Sequence, residues 1–254
     1  MAKTFGNPGP APRMLRVDDD GDVRVITLDR PDARNALTPA ALDALADAVT
    51  DAPTPVVYVH GAGDAFCAGA DLGTVAETAA EGEGAAEAFA ERGQRAMRAV
   101  EASDAAVVAG VDGAARGGGV ELALACDVRV ATPDATFAEP GVAFGLFGAW
   151  GGTVRLPEAV GASHAADLSL SGRAVDAETA KEMGLVSRVV ADPRTVAADL
   201  AANDPDALRA LTRLGRHRGS REEREAAEAE AFASLLAEQA DALSRHRDDE
   251  RGAE

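Results

Sequence analysis

Apolar and polar side chains alternate along Val23 to Asp29, the period of a strand with one covered face. Asp20-Gly21 just before it marks a turn, so a hairpin with Leu15 to Val17 is expected. Thr38-Pro39 then supplies a capping hydroxyl and a residue suited to a first helical turn, which predicts a helix to about Val49. Pro55 to His60 and Ala105 to Val111 are unbroken apolar runs with β-branched residues, as expected of strands covered on both faces. Between them, Glu83 to Glu101 reads as a helix with Phe89, Arg92, Ala96 and Val100 along one side. Strand, loop, helix and strand in that order predict an α/β fold with parallel strands.

Further along, Gly117 to Cys126 reads as a short apolar helix and Val128 to Ala131 as a strand. Asp176 can cap a helix that runs through Met183 and stops at Gly184, ahead of a short strand from Leu185 to Val190. From Asp204 onward the pattern is helical, and Phe232, Leu236, Ala240 and Leu243 form an apolar stripe. That stripe must pack on the chain's own body or on another subunit. Met1 to Pro12 reads as a loose tail without the basic start and apolar block of an export signal, and Arg245 to Glu254 as a solvated tail.

With 254 residues, 46% of them hydrophobic, the chain can bury a full-sized core. No apolar run approaches the roughly 18 residues of a membrane-spanning helix. The formal net charge of −18 argues against nucleic acid or an anionic membrane as the main partner. Lys3 and Lys181 are the lysines, so the basic residues are almost all arginine. Such an acidic, lysine-poor surface suits a high-salt cytoplasm, and equally a genome biased toward Ala and Arg codons. Cys67 and Cys126 give neither a disulfide framework nor a metal spacing, which fits a cytoplasmic protein. No metal site or catalytic histidine emerges from the scattered His60, His164, His217 and His246.

Three Gly-rich stretches carry candidate chemistry: Phe66 to Leu72, Gly113 to Leu122, and Phe137 to Gly141 continuing to Gly151-Gly152-Thr153. The first two follow parallel-type strands, where open α/β folds place ligands. Glycines entering a helix leave amides unpaired at its positive end, so Gly118 can donate to an oxyanion. Glu121 lies three residues on, on the same helical face, where a carboxylate can move a proton beside a carbon whose charge spreads onto that oxygen. Its apolar neighbours Val120, Leu122, Ala123 and Leu124 make an idle carboxylate there costly. Ala70 supplies a second amide if the Gly69 loop turns toward Gly118.

Four segments in order, Arg30 to Leu37 (RPDARNAL), Phe66 to Leu72 (FCAGADL), Gly117 to Asp127 (GGGVELALACD) and Gly184 to Val190 (GLVSRVV), resemble the enoyl-CoA hydratase/isomerase, or crotonase, family. The resemblance implies a crotonase-like α/β spiral of ββα units with a helical C-terminal region. It suggests a tail over 1–12, a core over 13–195, and an oligomerisation region over 196–254 that builds a homotrimer or a dimer of trimers. It implies further that Ala70 and Gly118 hold the oxygen of an acyl-CoA thioester and that Glu121 is catalytic. Arg34, Ala68, Asp71, Leu72 and Gly117 are then expected near CoA, and Phe144, Phe147 and Trp150 around the acyl pocket. No cofactor beyond the CoA of the substrate is implied.

One position departs from the pattern. Where hydratases of this family carry a second glutamate, this chain has Gly141, and Glu139 two residues earlier is the available substitute. Hydration of a 2-enoyl-CoA leads the readings. Double-bond isomerisation with Glu121 alone follows, then decarboxylation or hydrolysis of another acyl-CoA. A non-catalytic acyl-CoA binder and an unrelated nucleotide binder complete the set.

Overall fold

The computed structural model describes residues 14–240. From its amino end, β1 (Leu15–Asp20) and β2 (Val23–Leu28) form a hairpin, and a 3-10 turn over Pro31–Ala33 leads to α1 (Pro39–Thr50). Then come β3 (Val56–Gly61), α2 (Leu72–Glu81), α3 (Glu83–Glu101), β4 (Ala106–Val111), β5 (Ala114–Arg116), α4 (Gly118–Ala125), β6 (Val128–Ala131) and β7 (Thr136–Ala138). A second 3-10 turn, Pro140–Phe144, precedes α5 (Gly152–Ser171), β8 (Val175–Asp176), α6 (Ala177–Glu182), β9 (Arg188–Val189), α7 (Arg194–Ala201), α8 (Pro205–Arg216) and α9 (Arg221–Glu238).

The larger sheet runs β1-β2-β3-β4-β6-β9, with every pairing parallel except the first hairpin. Its central strands are apolar throughout because both faces are covered. Ile26, Leu28, Val57, Val59, Val107 and Ala109 face the main core, while Val25, Val56, Tyr58 and Val108 face α7 through Val196 and Ala197. A smaller sheet, β5-β7-β8, stands beside it. Helix α4 lies between the two sheets in sequence and is buried along its whole length, Glu121 included.

Local chemistry explains the boundaries. The Thr38 hydroxyl accepts from the Ala41 amide at 3.2 Å and starts α1, which buries Leu42, Leu45 and Val49. Asp176 caps α6 through Thr179, and Gly184 follows with a φ of 84°. Asp127, at the end of α4, accepts from the Val107 amide at 2.7 Å and from Arg216 Nε at 2.8 Å, which ties α8 to the core.

The structure departs from the sequence reading in several places. The strand expected over Leu185 to Val190 shrinks to Arg188–Val189, because the Leu185 and Val186 amides donate to Ala180 and close α6. The buried stripe of α3 is Gly93, Ala96, Met97 and Val100; Arg92 turns aside to Asp43 at 3.5 Å. Helix α5 was not anticipated, since Pro157 and the non-helical Gly161 interrupt its pattern. Phe232 and Leu236 are 65% and 46% exposed in the single chain. Leu243 and both expected tails lie outside the described residues. No helix among the described residues is long and apolar enough to cross a membrane.

Candidate active site

Two short parallel bridges hold the Gly69 loop, one to Leu37 and one to Ala115 just before α4. The Leu37 amide donates to Gly69 at 2.7 Å and the Asp71 amide to Leu37 at 3.0 Å, so Ala70 between them turns its own amide the other way. The Cys67 amide donates to Ala114 and the Arg116 amide to Cys67, which seats this loop beside the residues preceding Gly118. Gly69 has a φ of 86°, and a Cβ on it would stand 2.6 Å from the Arg116 carbonyl oxygen and 2.9 Å from the Gly118 nitrogen. Only glycine permits this approach. Among the described residues, neither the Ala70 nor the Gly118 amide donates to another protein group.

The RPDARNAL segment braces this arrangement. Asn35, at a φ of 57° and 1% exposed, donates to the Ala62 and Ala65 carbonyls and accepts from the Arg30 amide. Arg30 reaches the Ala36 carbonyl and Asp71 Oδ2 at 3.0 Å, while Asp71 Oδ1 caps α2 through the Thr74 amide. Asp71 therefore fixes the loop rather than facing free space. Leu72 beside it is 69% exposed.

Glu121, 1% exposed, projects from the first turn of α4. Its Oε1 accepts from the amides of Trp150 and Gly152, both at 2.7 Å. Burial pushes its carboxyl above the usual range, and those two amides together with the charge of Arg155 pull it back. A Cβ on Gly152 would stand 2.9 Å from Oε1, so the close amide contact needs a glycine.

Glu139 is 7% exposed, and neither carboxyl oxygen has a hydrogen-bond partner among the described residues. Burial and the nearby Glu121 push it up to about 8. The two carboxyl groups converge on Gly148, where a Cβ would stand 3.0 Å from Glu121 Oε1 and 3.1 Å from Glu139 Oε2. Gly141 points elsewhere: a Cβ there would meet the backbone of Leu146 and Phe147 at 3.0 to 3.1 Å.

The three aromatics expected around an acyl pocket separate. Trp150 is 3% exposed, wedged against Gly93 and Gly118 and edge-on to Phe89 with ring centroids 5.7 Å apart. Together with Phe147 it lines a cavity of about 950 Å³ that continues past Gln94 and Arg155. Phe144, 66% exposed, stands apart from it.

Arg34 is exposed, and its carbonyl accepts from the Ala68 amide. It lies near enough to Arg116 for its charge to help lower the Arg116 pKa, after burial. Arg116 itself is held by Thr136. Sequence reasoning missed Arg116 and Gly148; the first stands directly before the glycine triplet, while the second carries no local signal. Gly117, at a φ of 48°, donates its amide to Ala138, a structural contact that turns the chain into α4.

Comparison with known proteins identifies the family. The profile of the enoyl-CoA hydratase/isomerase family matches residues 18–250. A probable enoyl-CoA hydratase of Bacillus subtilis is 35% identical over 206 residues, covering 77% of this chain and 79% of that protein. A short-chain-enoyl-CoA hydratase of Clostridium acetobutylicum is 32% identical over 245 residues, covering 90% and 92%. Among solved structures, a putative enoyl-CoA hydratase of Streptomyces coelicolor A3(2) superposes with a TM-score of 0.87 at 30% identity, over 99% of this chain and 97% of that one. With the fold, the four sequence segments and the profile in agreement, the chain belongs to the enoyl-CoA hydratase/isomerase family.

Proposed function

We propose that this protein is an enoyl-CoA hydratase that adds water across the double bond of a 2-enoyl-CoA, with Glu121 as an acid–base group. The observation that carries the reading is that the Gly69–Ala70 loop lies against the start of the helix that bears Glu121, a Cβ on Gly69 standing 2.9 Å from the Gly118 nitrogen, with the Ala70 and Gly118 amides donating to no other group among the described residues. Two N–H donors at a positive helix end suit a thioester oxygen that gains charge as the enolate forms. Glu121 Oε1 is occupied by backbone amides, which fixes the carboxylate and leaves its other oxygen for a proton.

The thioester oxygen receives the charge, so the reaction needs no cofactor beyond the CoA within the substrate. Arg34 and Arg116 offset the chain's negative field where the CoA phosphates arrive. The exposed Leu211, Phe232 and Leu236 on α8 and α9 support assembly as a homotrimer or a dimer of trimers. The buried free thiols Cys67 and Cys126 fit a cytoplasmic setting.

Gly141 favours a second reading, double-bond isomerisation, in which a single carboxylate carries a proton between carbons. Incubating the purified protein separately with crotonyl-CoA and with a 3-enoyl-CoA tests both. Formation of 3-hydroxybutyryl-CoA supports hydration, whereas conversion of the 3-enoyl-CoA with no hydration overturns it in favour of isomerisation.

A further inference from the structure

We propose that Glu139 supplies the second acid–base carboxyl of this site, in place of residue 141. The assignment rests on the hydratase reading and deepens it. The carboxyl groups of Glu139 and Glu121 both border the space beside Gly148, where a Cβ would stand 3.1 Å from Glu139 Oε2 and 3.0 Å from Glu121 Oε1. Glu139 is more than nine-tenths buried with both oxygens unpartnered among the described residues, an arrangement that a folded protein ordinarily avoids. Such a group is explained when a ligand supplies the missing partner. The vector from Gly141 runs into the Leu146–Phe147 backbone, so a side chain there would not enter this space without moving that loop.

The environments assign the roles. Burial raises the Glu121 carboxyl, but the two amide hydrogens it receives and the charge of Arg155 act against that rise and favour its ionised form. Glu139 receives none among the described residues, and burial together with the negative Glu121 pushes its carboxyl up to about 8, so at neutral pH it carries the proton. Water then bonds through oxygen to C3 while Glu121 takes one of its protons, and the C2–C3 π pair moves onto the thioester as an enolate. The enolate collapses as C2 takes the proton of Glu139. Transfer of the captured proton from Glu121 to Glu139 restores the site, and the sum is one water added. Gly148 keeps the space between the carboxyls open for that water.

The test uses the full-length enzyme with crotonyl-CoA and the variants Glu139→Gln and Glu139→Met. Glu139→Gln should lower kcat by about 10² or more with KM within a few-fold. The wild-type kcat/KM should fall on the alkaline side near the Glu139 pKa, and that limb should be absent from the residual Glu139→Gln activity. Glu139→Met should be inactive yet melt at a higher temperature than wild type, because an unpartnered buried carboxyl is removed. A Glu139→Gln enzyme within about threefold of wild type that keeps the alkaline limb overturns the assignment. A wild type that converts a 3-enoyl-CoA but hydrates nothing overturns the hydratase reading alone, and Glu139→Gln is then scored on that conversion by the same criteria.

Discussion

Trp150 is packed directly onto the α-carbon of Gly118: a Cβ at position 118 would stand 2.3 Å from the indole Cζ3. The residue whose amide is proposed to meet the substrate oxygen is thus held in place by an aromatic ring with no room for a methyl group. Gly118→Ala should displace either the indole or the start of α4, and with it the amide. We expect kcat/KM to fall by about 10² or more, the effect of losing one oxyanion donor. Steady-state kinetics beside circular dichroism separates this from unfolding.

The same ring also lines the cavity of about 950 Å³. Trp150→Leu removes ring volume while keeping the backbone amide that holds Glu121. The variant should favour longer acyl chains, with kcat/KM for an eight-carbon 2-enoyl-CoA rising relative to crotonyl-CoA. A chain-length preference unchanged from wild type would place the acyl group elsewhere.

Arg34, whose carbonyl accepts from the Ala68 amide, and the nearby Arg116 should serve binding rather than chemistry. A charge-assisted hydrogen bond to phosphate contributes about 1.5–3 kcal/mol. Arg34→Ala should therefore raise KM roughly tenfold or more with kcat little changed. The effect should shrink when an acyl-pantetheine replaces the CoA thioester, since that substrate lacks the nucleotide phosphates.

Stability should report the buried Glu139. Its folded pKa of about 8 lies above its ordinary value of 4.5, so between these limits the folded chain holds a proton that the unfolded chain has released. The contribution opposes folding more strongly as pH rises through that window, by up to about 1.4 kcal/mol per pH unit, and levels off above the folded pKa. Depressed carboxyls such as Asp19 and Asp71 act in the opposite sense, so the difference between proteins is the quantity to measure. Chemical denaturation of wild type and Glu139→Gln from pH 5 to 8 should show wild type losing stability relative to the variant. Parallel curves would contradict the protonated Glu139.

Much of this architecture was legible because it is written in local pattern. The apolar runs of β3 and β4, the Thr38-Pro39 start of α1 and the Asp176 cap of α6 each carry their own signal. The glycines before α4 and the position of Glu121 pointed to the site for the same reason. The small sheet did not show itself, since β5, β7 and β8 have only two or three residues each and no period to read. Helix α2 buries no residue fully and so lacks an apolar stripe. The pairing of Glu139 with Glu121 was offered by the sequence only as a possible substitute. The two meet beside Gly148, while the Gly141 position faces the Leu146–Phe147 backbone, and neither contact has a local signature in the sequence.

The most direct measurement is the hydration of crotonyl-CoA by Glu121→Gln beside wild type, with affinity for an unreactive acyl-CoA measured on both. Proton transfer by Glu121 predicts a fall in kcat of about 10² or more at nearly unchanged affinity. Wild-type turnover in Glu121→Gln would contradict the account.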